Sequence, residues 1–158
     1  MLARLSTGCA GLDELLGGGV EPGVLTLVYG EPGSGKTSLA LQLSREVLNN
    51  GGKSVLFIDT EGLSMERLKQ VCGDEALDGL SIATPVNQAE LHELLKAPKE
   101  LPALLVIDTV NAHARLEYAL DKAKCNRVFA RMMIDLYNLA TQHELPILLT
   151  GQIYERDG

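Results

Sequence analysis

The chain has 158 residues, 46% of them apolar and 22% charged, which is enough to close one hydrophobic core and too apolar for a disordered or fibrous polypeptide. Its 21 acidic and 14 basic side chains leave a net charge of −7, so a surface that attracts a polyanion has to be a local one. Cys9, Cys72 and Cys125 are odd in number and lack the close pairs of a zinc or redox motif, Met1 to Gly8 carry no signal-like apolar stretch, and no run nears the roughly 20 apolar residues of a bilayer span. Secreted and membrane classes fall away, and a reducing cytoplasm is the expected setting.

In chain order, the apolar run Val24 to Tyr29 predicts a strand. A glycine-rich turn follows, then a helix with Leu39, Ala40, Leu43 and Val47 on one side, closed by Asn49-Asn50-Gly51-Gly52. Val55 to Ile58 predicts a second strand, which leads through Asp59-Thr60-Glu61-Gly62 to a helix near Met65 to Val71. Leu80 to Ala83 reads as a weaker strand. Leu91, Leu94 and Leu95 mark a short helix, and Pro98 and Pro102 bracket the link to the strongest strand, Ala103 to Ile107. The longest helix is predicted to start near Asn126. Its apolar stripe of Phe129, Met132, Met133, Leu136 and Ala140 opposes Arg127, Arg131, Asp135, Asn138 and Gln142. Pro146 to Thr150 supplies one more run. Near-continuous apolar strands alternating with helices predict an α/β fold, a doubly wound, mostly parallel sheet with helices on both faces, in one domain over residues 1–158.

Gly30-Glu31-Pro32-Gly33-Ser34-Gly35-Lys36-Thr37 matches G-x-x-x-x-G-K-[ST], the phosphate-binding loop of the P-loop NTPases. Glycines let the backbone curl around phosphate oxygens with its N–H groups turned inward, and the helix that follows adds its N-terminal dipole. Lys36 is placed to reach the β and γ phosphates, the Thr37 hydroxyl is a hard ligand suited to Mg²⁺, and Ser38 completes the set. A magnesium-bound triphosphate needs an acidic partner. Asp108, at the end of Leu104-Leu105-Val106-Ile107, is the candidate for the metal's water shell. Glu61, two residues beyond the strand-end Asp59, is the acid best placed to orient or deprotonate attacking water. Gln152 reads either as an amide sensing the γ phosphate or as a turn residue. In an open parallel sheet Glu61, Asp108 and Gln152 converge at the carboxyl ends of their strands.

These residues resemble the RecA/RadA recombinase superfamily, and within it the archaeal RadB group. The resemblance rests on Leu5-Ser6-Thr7-Gly8, Gly11-Leu12-Asp13-Glu14-Leu15-Leu16-Gly17-Gly18-Gly19, the phosphate loop, Asp59-Thr60-Glu61-Gly62, Asp108-Thr109-Val110 and Gly151-Gln152, in the family's order over nearly the whole chain. It implies a RecA-like core in DNA repair and homologous recombination that binds ATP with Mg²⁺ and hydrolyses it weakly. Glu61 would activate water, Lys36 would serve in catalysis, Gln152 would act as the switch between ATP and the DNA loops, and Arg67 would be a neighbour of adenine. Two departures stand out. No helical DNA-binding domain precedes the core, which agrees with RadB, and the chain stops at Tyr154-Glu155-Arg156-Asp157-Gly158 where the family continues through a DNA-contacting loop, so a C-terminally truncated core is expected.

Between Ala112 and Arg131, Arg115, Lys122, Lys124, Arg127 and Arg131 stand against Glu117 and Asp121, a local +3 that leaves −10 for the rest. This stretch reads as a contact for single-stranded DNA or as a solvated helix face. Tyr118 alone does not make a stacking platform. His92, His113 and His143 match no triad or metal spacing, and Met132-Met133 read as core filler. Two other functions fit the same residues: a nucleotide-dependent regulatory partner of a RadA-type recombinase without appreciable turnover, and a KaiC-like signalling ATPase. Self-association is a further expected partnership.

Overall fold

The computed structural model describes residues 3–96 and 100–153, without the side chains of residues 75 and 76. Pro98 and 154–158 therefore lie outside the described residues. The elements are α1 (Ala10–Leu15), β1 (Leu25–Gly30), α2 (Lys36–Asn49), β2 (Val55–Asp59), α3 (Met65–Cys72), a 3-10 turn (Glu75–Gly79), β3 (Leu80–Ala83), α4 (Gln88–Lys96), β4 (Leu104–Asp108), α5 (Ala112–Tyr118), α6 (Lys122–His143) and β5 (Ile147–Gln152). Among the described residues the sheet has five strands in the order β1-β5-β4-β2-β3, every pair parallel.

Period-two alternation sends the strands' side chains to two cores. Val55, Phe57, Leu104, Val106 and Leu148 meet Ala40, Leu41, Leu43 and Val47 of α2 and Leu68 of α3 on one face. Ile58, Leu105, Ile107, Ile147 and Leu149 meet Leu91 and Leu95 of α4 and Met132, Leu136 and Ala140 of α6 on the other. The fully buried β4 is the reason its sequence reads as an unbroken apolar run. Among the described residues β1 sits at the edge and pairs with β5 alone, Leu25 opposite Ile147, with Leu27 and Tyr29 exposed. Before β1 the chain is pinned by reciprocal backbone bonds between Leu5 and Val20, each 2.8 Å. Gly19 (φ +116°) leaves room there: a Cβ would lie 2.1 Å from the Leu5 carbonyl oxygen.

The predicted strands appear within two residues at each end, the weak Leu80–Ala83 included. Two corrections apply to the helices. α6 begins at Lys122, not near Asn126, because the Asp121 carboxylate caps it by accepting from Lys124 N at 2.9 Å. The sequence reading also left out α1 and α5. α1 buries no residue and α5 buries only Ala112 and His113, so neither carries an apolar stripe to be read. Among the described residues no helix is long and apolar enough to cross a membrane.

Neighbouring β2 and β4 send the chain to opposite faces, β2 toward α3 and β4 toward α5 and α6. Their carboxyl ends therefore open a crevice where the sheet changes winding direction.

Candidate nucleotide site at the strand ends

The phosphate loop joins β1 to α2. Gly33 (φ +78°) and Gly35 (φ +92°) take the left-handed conformation that L side chains avoid. A Cβ on either would meet nothing within 4 Å, so the glycines are required by backbone sign and the bowl they line is open. Lys36, the first residue of α2, is only 8% exposed. Its Nζ donates to Gly30 O at 3.0 Å, Glu31 O at 2.7 Å and Ser34 Oγ at 3.3 Å, so its protons rest on neutral oxygens of the loop itself. A largely buried ammonium facing dipoles rather than a counter-charge is complementary to an anion.

Next to it, Thr37 Oγ1 donates to Asp108 Oδ2 at 2.7 Å, while Thr150 Oγ1 of β5 makes a short bond to Asp108 Oδ1. Asp108 is 2% exposed, and both its oxygens are served by hydroxyls. Among the described residues no group of three or more His, Cys, Asp or Glu side chains could by itself hold a metal ion. One hydroxyl backed by one carboxylate is a donor set that fits Mg²⁺, which keeps waters and takes its remaining oxygens from phosphate.

The loop after β2 is shaped by Asp59. Buried at the strand end, its Oδ1 accepts from Glu61 N at 3.0 Å and Gly62 N at 2.9 Å, and its Oδ2 accepts from Leu63 N at 2.5 Å. Thr60 bridges to the loop after β4: its Oγ1 donates to Thr109 O and accepts from Thr109 N, both at 2.8 Å. Glu61 is thereby set against β4 and β5. Its Oε1 accepts from Thr109 Oγ1 at 3.1 Å and its Oε2 from Gln152 Nε2 at 2.7 Å. Asn111 fixes the Gln152 backbone in both directions, at 2.9 and 3.2 Å, and Arg115 Nη1 donates to Gln152 Oε1 at 3.1 Å.

Gly33, Gly35, Lys36, Thr37, Ser38, Glu61, Arg67 and Gln152 line one 170 Å³ cleft. The strand-end convergence expected of Glu61, Asp108 and Gln152 is present, with Asp108 beneath the loop and the other two at its rim. Arg67, on α3, is exposed and donates from Nη2 to Ser38 Oγ at 2.5 Å, which brings it to the cleft wall. Gly30 and Ser34 enter through their oxygens on Lys36, and Glu31 through its carbonyl. Pro32 is an exposed residue of the same loop.

The basic stretch is not one patch. Arg115 reaches the cleft through Gln152, Lys122 Nζ stands 5.3 Å from the Tyr118 ring centroid, and Lys124 and Arg127 are exposed on α6. Arg131 lies about 14 Å along α6 from Lys122 and pairs with Asp135 at 3.4 Å. The histidines stand apart from the cleft's lining: His92 bonds Asp135, and buried His113 bonds Pro85 O. Sequence reasoning missed Asp59, Thr109, Asn111 and Thr150 as organisers of the site. The available signal was their position, each within three residues of the end of a strand that also leads to a candidate.

Comparison with known proteins agrees with this geometry. The family model described as Rad51 matches residues 1–158. The chain is 40% identical over 167 residues to a protein of Methanoculleus marisnigri named DNA repair and recombination protein RadB, covering 98% of this chain and 74% of that one. Proteins of the same name from Methanococcoides burtonii and Thermococcus kodakarensis are 36% and 38% identical, over 96% and 95% of this chain and 71% and 70% of theirs. An all-parallel sheet wound on both faces, a glycine loop closed on its own lysine, and a family match over residues 1–158 make this chain a member of the Rad51 family, of RecA-like fold and similar to archaeal RadB proteins.

Proposed function

We propose that the chain binds ATP with Mg²⁺ in the cleft above α2, hydrolyses it slowly, and serves in DNA repair and recombination, where its relatives' names place them. The observation that carries this reading is the meeting of Lys36, Thr37 and Glu61 on one 170 Å³ cleft behind an open glycine bowl. The loop amides from Gly33 to Thr37 and the Lys36 ammonium hold the phosphates. The Thr37 hydroxyl, backed by Asp108, would hold Mg²⁺, which would supply charge neutralisation at the phosphate oxygens. Glu61 orients a water and takes its proton, Gln152 fixes the Glu61 carboxylate, and Arg67 closes the wall beside Ser38, toward the base. No covalent intermediate is needed, because positioning and charge do the work. Single-stranded DNA is the second ligand, met by α5 and the start of α6.

Calorimetry and phosphate release test the assignment. Lys36→Ala should weaken Mg-ATP binding at least about tenfold, the worth of a charge-assisted hydrogen bond. Glu61→Gln should bind like the parent and lose about 100-fold in turnover, the scale of general-base catalysis. A Glu61→Gln protein that hydrolyses at the parental rate refutes the role of Glu61.

One observation favours a second reading. Both Glu61 oxygens already accept bonds from Thr109 and Gln152, which suits a partner of a RadA-type recombinase whose nucleotide state sets affinity with little turnover. Tight Mg-ATP binding without phosphate release, with or without oligothymidine, would select it.

A further inference from the structure

We infer that Thr150 is a positioning residue for the metal side of the cleft: by holding one oxygen of Asp108 it keeps the other turned to Thr37, and so sets how firmly a divalent cation is taken with its nucleotide. This rests on the proposed ATP site and assigns the residue that tunes its metal affinity.

The place of Thr150 in the sheet carries the argument. Period two along β5 puts Leu148 and Thr150 on one side, and Leu148 belongs to the core that α2 covers. The register pairs Leu148 with Val106, so the next residues of the two stripes, Thr150 and Asp108, come side by side. On the other flank β1 sets Val28 opposite Thr150. Packing alone would be served by a valine here as well. Thr150 is instead a fully buried hydroxyl, which is costly unless it is bonded. Among the described residues the one partner of that hydroxyl is Asp108 Oδ1, to which it makes its short bond.

The effect of this bond follows from counting donors. Asp108 accepts at Oδ2 from Thr37 Oγ1, at 2.7 Å, and at Oδ1 from Thr150, and no third side chain among the described residues donates to it. A hydroxyl has a single proton. With that proton on Asp108, Thr37 turns only lone pairs to the cleft, the form in which an oxygen ligates a hard cation. The orientation lasts while Oδ2 stays in place, and a carboxylate held at one oxygen alone is free to rotate about its Cβ–Cγ bond. Thr37 lies on the cleft wall, where ligands come and go, whereas Thr150 is locked inside the sheet. The fixed end of the arrangement is therefore Thr150. Without its hydroxyl, Oδ1 is a buried anionic oxygen lacking a donor, the carboxylate turns to find one, and the Thr37 proton follows.

The isosteric Thr150→Val tests this role. Calorimetry should show Mg-ATP bound about tenfold more weakly per folded molecule, the scale of losing the partner of a metal-holding side chain, with ATP in EDTA within about twofold of the parent. Thr150→Ser keeps the hydroxyl and should restore Mg-ATP binding. With Mn²⁺ in place of Mg²⁺, the electron paramagnetic resonance of bound Mn-ATP should broaden in Thr150→Val and regain the parental shape in Thr150→Ser. In the nucleotide-free protein the ¹³C-labelled Thr37 methyl should shift in Thr150→Val and hold its place in Thr150→Ser. If Thr150→Val does not fold, Thr150→Cys, with its weaker donor, should show the same changes in smaller degree. Equal weakening of both nucleotide forms would reduce Thr150 to a structural residue, and a Thr37 methyl that ignores the substitution would overturn the inference. A parent that binds neither nucleotide form refutes the site and this role with it, whereas parental Mg-ATP affinity in Thr150→Val refutes the role of Thr150 alone.

Discussion

Replacing Asp59 separates the scaffold of the site from its chemistry. The carboxylate accepts three backbone N–H groups, from Glu61, Gly62 and Leu63, at 3.0, 2.9 and 2.5 Å, and is 5% exposed. A hydrogen bond to a charged group contributes about 1.5–3 kcal/mol net, but these three share one acceptor. Glu61 and Gly62 are exposed enough for water to replace the lost oxygen, whereas Leu63 is half-buried and leaves its donor unpaired. Asp59→Ala should therefore cost about 2–4 kcal/mol in urea unfolding, and Asp59→Asn, which retains one oxygen, about half that. Because the loop that loses its anchor carries Glu61 but not Lys36, turnover should fall at least about tenfold while Mg-ATP affinity stays within about twofold. Parental stability together with parental turnover in Asp59→Ala would refute the anchoring role. A loss of affinity matching the loss of turnover would show that the loop belongs to the phosphate cradle as well.

Leu136 is fully buried where α6 meets β4 and β5, so Leu136→Ala should destabilise the fold by about 2–5 kcal/mol without altering nucleotide affinity per folded molecule, as urea titration and calorimetry would show. Gly19→Ala sets a methyl against the Leu5 carbonyl and should break the Leu5–Val20 pairing. Hydrogen exchange at those two amides should speed up while exchange in β4 stays slow. The hydrogen bond from His92 holds the Asp135 carboxyl below its usual range, with Arg131 adding to the effect, so its stabilisation is full above that range and is lost as pH falls through it. Asp135→Asn should lower Tm near neutral pH and converge on the parent in acid. A difference that persists or grows at low pH would contradict the sign.

The strands and the phosphate loop were legible because each depends on residues adjacent in sequence: apolar runs of the right length, then glycines before Lys36. The meeting of Glu61, Asp108 and Gln152 was legible through one topological rule about strand ends. The rest depended on pairings that no local pattern announces. Thr60 with Thr109, Thr150 with Asp108 and Arg115 with Gln152 join segments that become neighbours only through strand order. α5 escaped notice because a helix that buries only Ala112 and His113 has no stripe, and Asp121, counted in the sequence only as a charge, is a helix cap through its contact with Lys124 N.

The strand that ends in the phosphate loop finds its hydrogen-bonding neighbour in the last strand of the sheet, Leu25 beside Ile147, and nowhere else among the described residues. Contacts this distant along the chain form late. During synthesis β2, β3 and β4 emerge and pair while β1 waits, and its glycine bowl stays unsupported until β5 clears the ribosome. A nascent chain arrested before Ile147 should fail to retain nucleotide, and one released just past Gln152 should retain it, so a segment made early is completed by one made more than a hundred residues later.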